Sequence, residues 1–237
     1  MEIEILPITK DDVPAAIHSI QDAFDDDPYN NWVFAKTLPA SAGGFDTQRN
    51  YASLKAKCDW GMRSSYALFY VAKQADRILG VSMWTTPEMT SRPQTWSDWL
   101  NDYCLWVEQG LNVLYYRGWG GLKRDRYWVW KREQAKCQKE LWQDDKGYYF
   151  VNIVTVNPEA QGQGVGRRLF EVVTKKADLE GRKCYLESSR WEPNVKIYQK
   201  LGFEVVKKMR CLAEDGSTEG VDLFCMMRKP QDQSSTV

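Results

Sequence analysis

Apolar and polar residues alternate along this chain with two distinct periods, and the period sets the element. Glu2–Ile8, "EIEILPI", alternates and predicts a first strand. From about Asp12 to Phe24 the spacing becomes helical, with Pro14 in the first turn, where a missing N–H costs little. "DDDPYNNW" breaks that helix and Gly43-Gly44 marks a loop. A second helix is predicted from about Thr47 to Met62. "YALFYVA" and "RILGVSMWTT" are apolar runs separated by "KQAD", the pattern of an antiparallel hairpin. Between Pro87 and Lys146 the pattern changes. Trp96, Trp99, Tyr103 and Trp106 repeat at helical spacing, "RGWGG" interrupts, and a second helical stretch runs from about Asp125 to Trp142. No Pro/Ser linker bounds this segment, so residues 87–146 read as a helical insertion within a single domain spanning 1–229.

"GYYFVNIVTVNP" is apolar at nearly every position and predicts a strand buried on both faces, ended by Pro158. The amphipathic stretch that follows carries Val165, Leu169, Val172, Val173 and Ala177 on one face and stops near Gly181. "KCYLESS" is a further strand, and "EPNVKIYQKLGF" a short helix with Pro193 at its start and Gly202 past its end. "FEVVKKMRCL" and "VDLFCMMRK" flank "EDGSTEG" as a final hairpin, and residues 230–237 form a polar tail.

Composition narrows the function classes. The chain has 237 residues, 43% hydrophobic, with a formal net charge of zero. That gives no global electrostatic argument for nucleic acid or an anionic membrane. No run approaches the roughly 20 apolar residues of a membrane span, and the N-terminus lacks a secretory pattern. Six scattered cysteines without CxxC pairs read as free thiols in a reducing cytosol, so a cytoplasmic location is expected. The one histidine, His18, lies in a helical pattern, which disfavours a His-rich metal site or a Ser-His-Asp triad. No metal is expected.

The most informative stretch is "NPEAQGQGVGRRLFE", between the apolar strand and the amphipathic helix. A helix N-terminus presents unpaired N–H groups and about half a positive charge. Gly162, Gly164 and Gly166 would let an anion approach that backbone and would permit unusual φ values. Arg167 and Arg168 are unfavourable beside a helix N-terminus unless an anion reverses the local sign. A P-loop is not matched, because Gly166 is followed by Arg167-Arg168. A dinucleotide fingerprint is matched only at Gly162 and Gly164; Glu187 stands where a ribose-binding acid would, but too little chain follows for more parallel strands.

Gln161-x-x-Gly164-x-Gly166 resembles the acyl-CoA signature Q/R-x-x-G-x-G/A of the GNAT superfamily of acetyl-CoA-dependent N-acetyltransferases. "VTVNPEAQGQGVGRRL" is similar to that family's strand-loop-helix, and "NVKIYQKLGFE" to its C-terminal helix and next strand. The resemblance is specific over Tyr148–Val206. It implies an α/β fold of mixed, α+β-like type: a splayed mixed central sheet with helices on both faces. It implies acetyl-CoA as acyl donor. A bulge is expected in the strand Tyr148–Val156, with backbone near Val154 and Val156 holding the pantetheine arm. The diphosphate would lie on amides of Gln161, Gly162, Gln163, Gly164, Val165, Gly166 and Arg167.

The same resemblance makes Tyr198 the general acid toward the leaving thiolate. Val195, Tyr198 and Leu201 also share a helical face, so a core role stays open. Asn194 either caps the short helix or contacts the cofactor. Asp27, the acid before proline in "DDDP", and Glu187, at a strand end, are the two candidate bases. Asp25–Asp27 reads either as a solvated run that stops a helix or as an attractor for a cationic amine. Tryptophans at helical spacing, from a total of 11, predict core positions, with some lining the acceptor cleft. The expected acceptor is a small amine. A protein or peptide amine, a non-enzymatic acyl-CoA sensor and, remotely, a dinucleotide oxidoreductase are the alternatives. The expected assembly is a monomer or homodimer.

Overall fold

The computed structural model describes residues 2–91 and 93–231; the tail residues 232–237 lie outside the described residues. Seven strands form one sheet in the order β1-β2-β3-β4-β5-β7-β6. They are β1 Glu4–Pro7, β2 Ala67–Gln74, β3 Arg77–Thr85, β4 Tyr148–Val156, β5 Lys183–Ser188, β6 Glu204–Leu212 and β7 Gly220–Arg228. Every adjacent pair is antiparallel except β4–β5. One parallel pair is incompatible with a doubly wound dinucleotide fold, which needs a run of parallel strands.

Two layers of helix cover the sheet. Helices α1 (Val13–Phe24) and α3 (Thr47–Arg63) close one face through Ile17, Ile20, Cys58 and Trp60 against Phe69, Val71, Val81 and Met83. Helix α7 (Val165–Leu179) closes the other through Phe170, Val173 and Ala177 against Tyr149, Val151, Leu186 and Met226. Burying each of the Val, Ile, Leu, Phe and Met side chains among these contributes about 1.5–3 kcal/mol. The far end of α7 is fixed by a buried bidentate pair: Arg228 Nη1 and Nη2 donate to the Asp178 carboxylate at 2.6 and 2.8 Å.

Between β3 and β4 lie a short helix α4 (Glu88–Ser91), α5 (Trp96–Tyr115) and α6 (Arg124–Leu141). Their position matches the expected insertion. Their packing does not match a uniform aromatic core. Helix α6 packs on β6 and places Val129 and Cys137 in a cluster with Trp32, Tyr148 and Tyr185. Helix α5 leaves Trp96, Trp99, Tyr103 and Trp106 exposed. A short helix α2 (Pro28–Val33) also occupies the stretch read as a helix break. Asp27 caps it, and Pro28 takes its first position, where no N–H is needed.

Strand β4 is not buried along its length. It pairs with β5 only from Tyr148 to Val151. At Asn152 the pairing with β3 shifts by one residue, since Trp84 faces Val151 but Met83 faces Ile153. Asn152 is the extra residue of a bulge, as the family resemblance implies. Beyond it β4 stays paired with β3 but no longer with β5, and Asn152 is exposed while Ile153, Val154 and Val156 are half-buried. The splay opens an edge that apolar composition alone does not reveal. Among the described residues no helix is long and apolar enough to cross a membrane.

Candidate active site

The end of β4 is anchored by Asn157. Its amide donates to Leu79 O at 2.8 Å, its side-chain amide donates to Ile78 O at 2.9 Å, and its Oδ1 accepts from Ser19 Oγ at 2.6 Å. A single turn, Pro158–Ala160, follows. Gly162 and Gly164 then adopt φ of +76° and +78°. Side chains with a β-carbon are strained there. A β-carbon at either glycine would meet nothing within 4 Å, so backbone conformation, not crowding by protein, requires glycine. Gly166 differs from the expectation for it. It lies inside α7 outside the left-handed region, and an added β-carbon would sit 3.4 Å from Val156 Cγ2. That is close to ordinary van der Waals contact, so neither backbone conformation nor crowding demands glycine there.

This turn leaves a row of donors. No side chain caps α7, and the first helical amide bond runs from Arg168 N to Gly164 O at 3.1 Å. The amides of Gly162, Gln163, Gly164, Val165, Gly166 and Arg167 have no hydrogen-bond acceptor among the described residues. The Gln161 amide is an exception to the expected cradle, because it donates to Pro158 O at 3.2 Å. These six successive donors stand at the positive end of a 15-residue helix, where backbone amides and the helix dipole favour an anion. The Gln163 side chain is folded back onto Glu159 O at 2.9 Å. Arg167 stays at the mouth, its Nε 2.6 Å from Glu171, and this guanidinium holds the Glu171 carboxyl below its usual range. Arg168 is drawn away and donates to Ile3 O at 3.0 Å.

Tyr198 stands on helix α8 (Lys196–Lys200), on the same side of the sheet as α7. Its ring packs on Phe170, centroids 5.5 Å apart, in the cluster that Val154 also joins. The ring is therefore part of the core, as the helical pattern suggests. The hydroxyl has no hydrogen-bond partner among the described residues. Burial, and then the nearby Asp27 carboxylate, push it up to about 12. It is protonated at neutral pH and free to donate. Asn194 does not cap α8. The N-cap is Val195, without a side-chain bond, because the preceding turn Trp191–Val195 carries the chain into the helix.

The three aspartates are not one cluster. Asp25 and Asp26 are exposed and face Lys36 at 3.4 Å and Arg190 at 3.2 Å. Asp27 is buried, its Oδ1 accepting from Asn30 N at 3.0 Å and its Oδ2 from Ser189 Oγ. Each of Asp25 and Asp26 thus has a basic partner at the surface. Asp27 instead ties α2 to the end of β5.

Glu187 points toward α6. Gln134 Nε2 donates to it at 2.8 Å and the Tyr185 hydroxyl at 3.0 Å. Burial raises its carboxyl above the usual range, opposed by these bonds and by Lys131. Lys131 is itself lowered by burial, donates to Gln134 Oε1 at 3.3 Å and lies 4.4 Å from the centre of the Trp130 ring. Tyr29 feels both Asp27 and Glu187, and burial is the largest cause of its raised hydroxyl. Tyr29, Lys131, Gln134 and Ser189 escaped the sequence reading. Tyr29 adjoins the "DDDP" stretch, but nothing in the sequence brings α6, some fifty residues away, over Glu187.

The insertion roofs this side. Leu122 pairs with Phe34, Lys123 N donates to Val33 O at 2.9 Å and Ala35 N to Gly121 O at 2.8 Å. Arg126 donates to Trp32 O at 3.1 Å and meets Asp215 at 3.0 Å and Glu219 at 2.7 Å. Among the described residues no group of three or more His, Cys, Asp or Glu could hold a metal ion.

A β4–β5 pair that parts after Val151, a bulge, an uncapped helix after a glycine turn and a tyrosine on the next helix make up the candidate site. The profile described as "Acetyltransferase (GNAT) domain" matches residues 123–205. Two curated proteins of Schizosaccharomyces pombe are similar. "Uncharacterized N-acetyltransferase C550.08" is 31% identical over 160 residues, 65% of this chain and 58% of that protein. "Uncharacterized N-acetyltransferase C56E4.07" is 28% identical over 55% of this chain and 57% of that protein. The chain thus spans less than three fifths of the curated relatives it matches. Among solved structures, smu.2055 from Streptococcus mutans UA159 aligns with TM-score 0.54 at 14% identity, over 96% of this chain and 99% of that one. The histone acetyltransferase HPA2 and related acetyltransferase from Corynebacterium glutamicum aligns with TM-score 0.52 at 17% identity, over 99% of each. These structural likenesses show the fold. Residues 123–205 thus match the GNAT acetyltransferase domain, and the whole described chain shares the fold of the solved acetyltransferases.

Proposed function

We propose that the protein transfers an acetyl group from acetyl-CoA directly to the amine of a small molecule. The observation that carries this reading is the row of six free amides at the start of α7, beside the unpaired edge of β4. The cradle fits a diphosphate: it offers fixed donors, a helix N-terminus, a mouth arginine and no obstructing β-carbon. Gly162 to Arg167 would hold the diphosphate, and the edge around Val154 and Val156 the pantetheine arm. The thioester supplies an activated acyl group.

The chain's own residues supply the proton chemistry. Tyr198 is the proposed general acid. A hydroxyl protonated at neutral pH and without another partner can donate to a departing thiolate. Glu187 is the proposed base. Its raised carboxyl suits removal of a proton from an amine, which must be neutral to attack. Asp27 then acts as a positioning residue, holding α2 and the Ser189 loop against each other. The roof made by α6 and the loop before it favours a small acceptor over an extended peptide.

The test is thiol release from acetyl-CoA by the purified protein across a panel of amines and peptides. Turnover on a small amine is the expected outcome. Turnover on peptides alone would move the acceptor to a protein, and tight CoA binding with no turnover would make the chain a sensor.

A further inference from the structure

Helix α5 is turned inside out. Its polar residues face α3 and the turn after it: Trp60 Nε1 donates to Asp102 Oδ1 at 2.6 Å, Arg63 Nε to Asn101 Oδ1 at 3.0 Å, Ser65 Oγ to Asp98 Oδ1 at 2.7 Å and Ser53 Oγ to Gln109 Oε1 at 2.8 Å. Asp98 and Asn101 are buried. The opposite face carries Trp96, Trp99, Leu100, Tyr103, Trp106, Leu111 and Leu114, at 74, 45, 46, 48, 72, 58 and 74% exposure. The ring pairs Trp96–Trp99, Trp99–Tyr103 and Tyr103–Trp106 stack at 4.8, 5.5 and 6.0 Å. No charged residue interrupts these positions. Burying polar groups while exposing an aromatic stripe is costly for an isolated domain, and contiguous exposed apolar surface of this extent marks an interaction site.

We propose that this stripe is the dimer interface of the protein, with a second copy of α5 as its occupant. Three observations carry it. The exposed stripe offers roughly 1,000 Å² per partner, more than the ~800 Å² of a standard interface. Its composition, rich in Trp and Tyr and free of charge, is that of an interface centre. Its arrangement is self-complementary. Trp106 and Tyr103 lie near the middle of the 20-residue helix, so a two-fold axis there runs α5 antiparallel to its copy. Leu100 of each helix then meets Leu111 of the other. The stripe lacks Lys and Arg, which argues against an anionic lipid surface.

Sedimentation equilibrium of the full chain tests this. The wild type should show a reversible dimer. Trp106→Glu should weaken association at least about 100-fold, as a central aromatic anchor does, with an unchanged far-ultraviolet spectrum. Leu179→Glu, an exposed apolar position on α7, should not. Leu100→Glu and Leu111→Lys should each weaken the dimer alone and restore it when mixed. A wild type that stays monomeric at the highest soluble concentration overturns the proposal. So does a dimer that Trp106→Glu and Leu114→Glu leave intact, or a monomer that instead sediments with phosphatidylcholine vesicles through this stripe.

Discussion

Two helices on different sides of the sheet begin in opposite ways. Helix α2 starts closed: the Asp27 carboxylate takes the Asn30 amide, and Pro28 removes a donor. Helix α7 starts open, behind a left-handed Gly164 with no side chain to cap it. A capped start spends its dipole on the protein, so α2 serves as structure. An uncapped start keeps its donors for a ligand. Under the proposed function, the difference separates a donor half, built from backbone, from an acceptor half, built from side chains.

The largest expected break in that contrast is Gly164→Val. A β-branched residue at φ +78° must leave the left-handed region and scatter the amides. Acetyl-CoA affinity should fall about 100-fold, equivalent to ~2.7 kcal/mol, in calorimetric titration. Next is Tyr198→Phe, expected to lower kcat at least about tenfold, at the low end of general acid catalysis, with acetyl-CoA affinity unchanged. Near wild-type turnover would return Tyr198 to a purely packing role.

Glu187→Gln sharpens the acceptor half. Activity should fall several-fold and lose the limb of its pH–rate profile that rises as Glu187 deprotonates. Its effect on stability has the opposite sign. Burial raises the folded carboxyl above its ordinary 4.5, so the folded state holds a proton that the unfolded state has released. Unfolding free energy therefore falls as pH rises from about 4.5 through the raised value. The amide variant escapes that loss, and its Tm relative to wild type should climb over this window. The smallest effect is at the α2 cap. Asp27→Ala should cost about 1 kcal/mol, or a Tm drop of about 2–4 °C, while Asp27→Asn, which can still cap, should retain most of it. If Asp27→Asn instead shifts the pH–rate profile, Asp27 and not Glu187 takes the proton.

Much of the donor half was legible because it is local. Three glycines, a preceding apolar strand and a following amphipathic face specify strand, turn and helix within thirty residues. Even there the glycines are not equivalent, since Gly162 and Gly164 set backbone conformation and Gly166 does not. The bulge left one trace, the polar Asn152 in an apolar run, but its position depends on pairing with β3. The acceptor half was less legible because it is assembled from distant segments. Glu187 is framed by Gln134 from the insertion, and Asp27 by Ser189. Helix α5 shows a different limit. Periodicity says which residues share a face, but not which face the protein buries, and here the apolar one is outside.

The central claim is that free amides of Gly162 to Arg167 grip the diphosphate of coenzyme A. Calorimetric titration with coenzyme A and with pantetheine, which lacks every phosphate, tests it most directly. The account predicts clear binding of coenzyme A and affinity for pantetheine at least about 100-fold weaker, a gap of ~2.7 kcal/mol. Equal affinities, or no heat with coenzyme A, would contradict it.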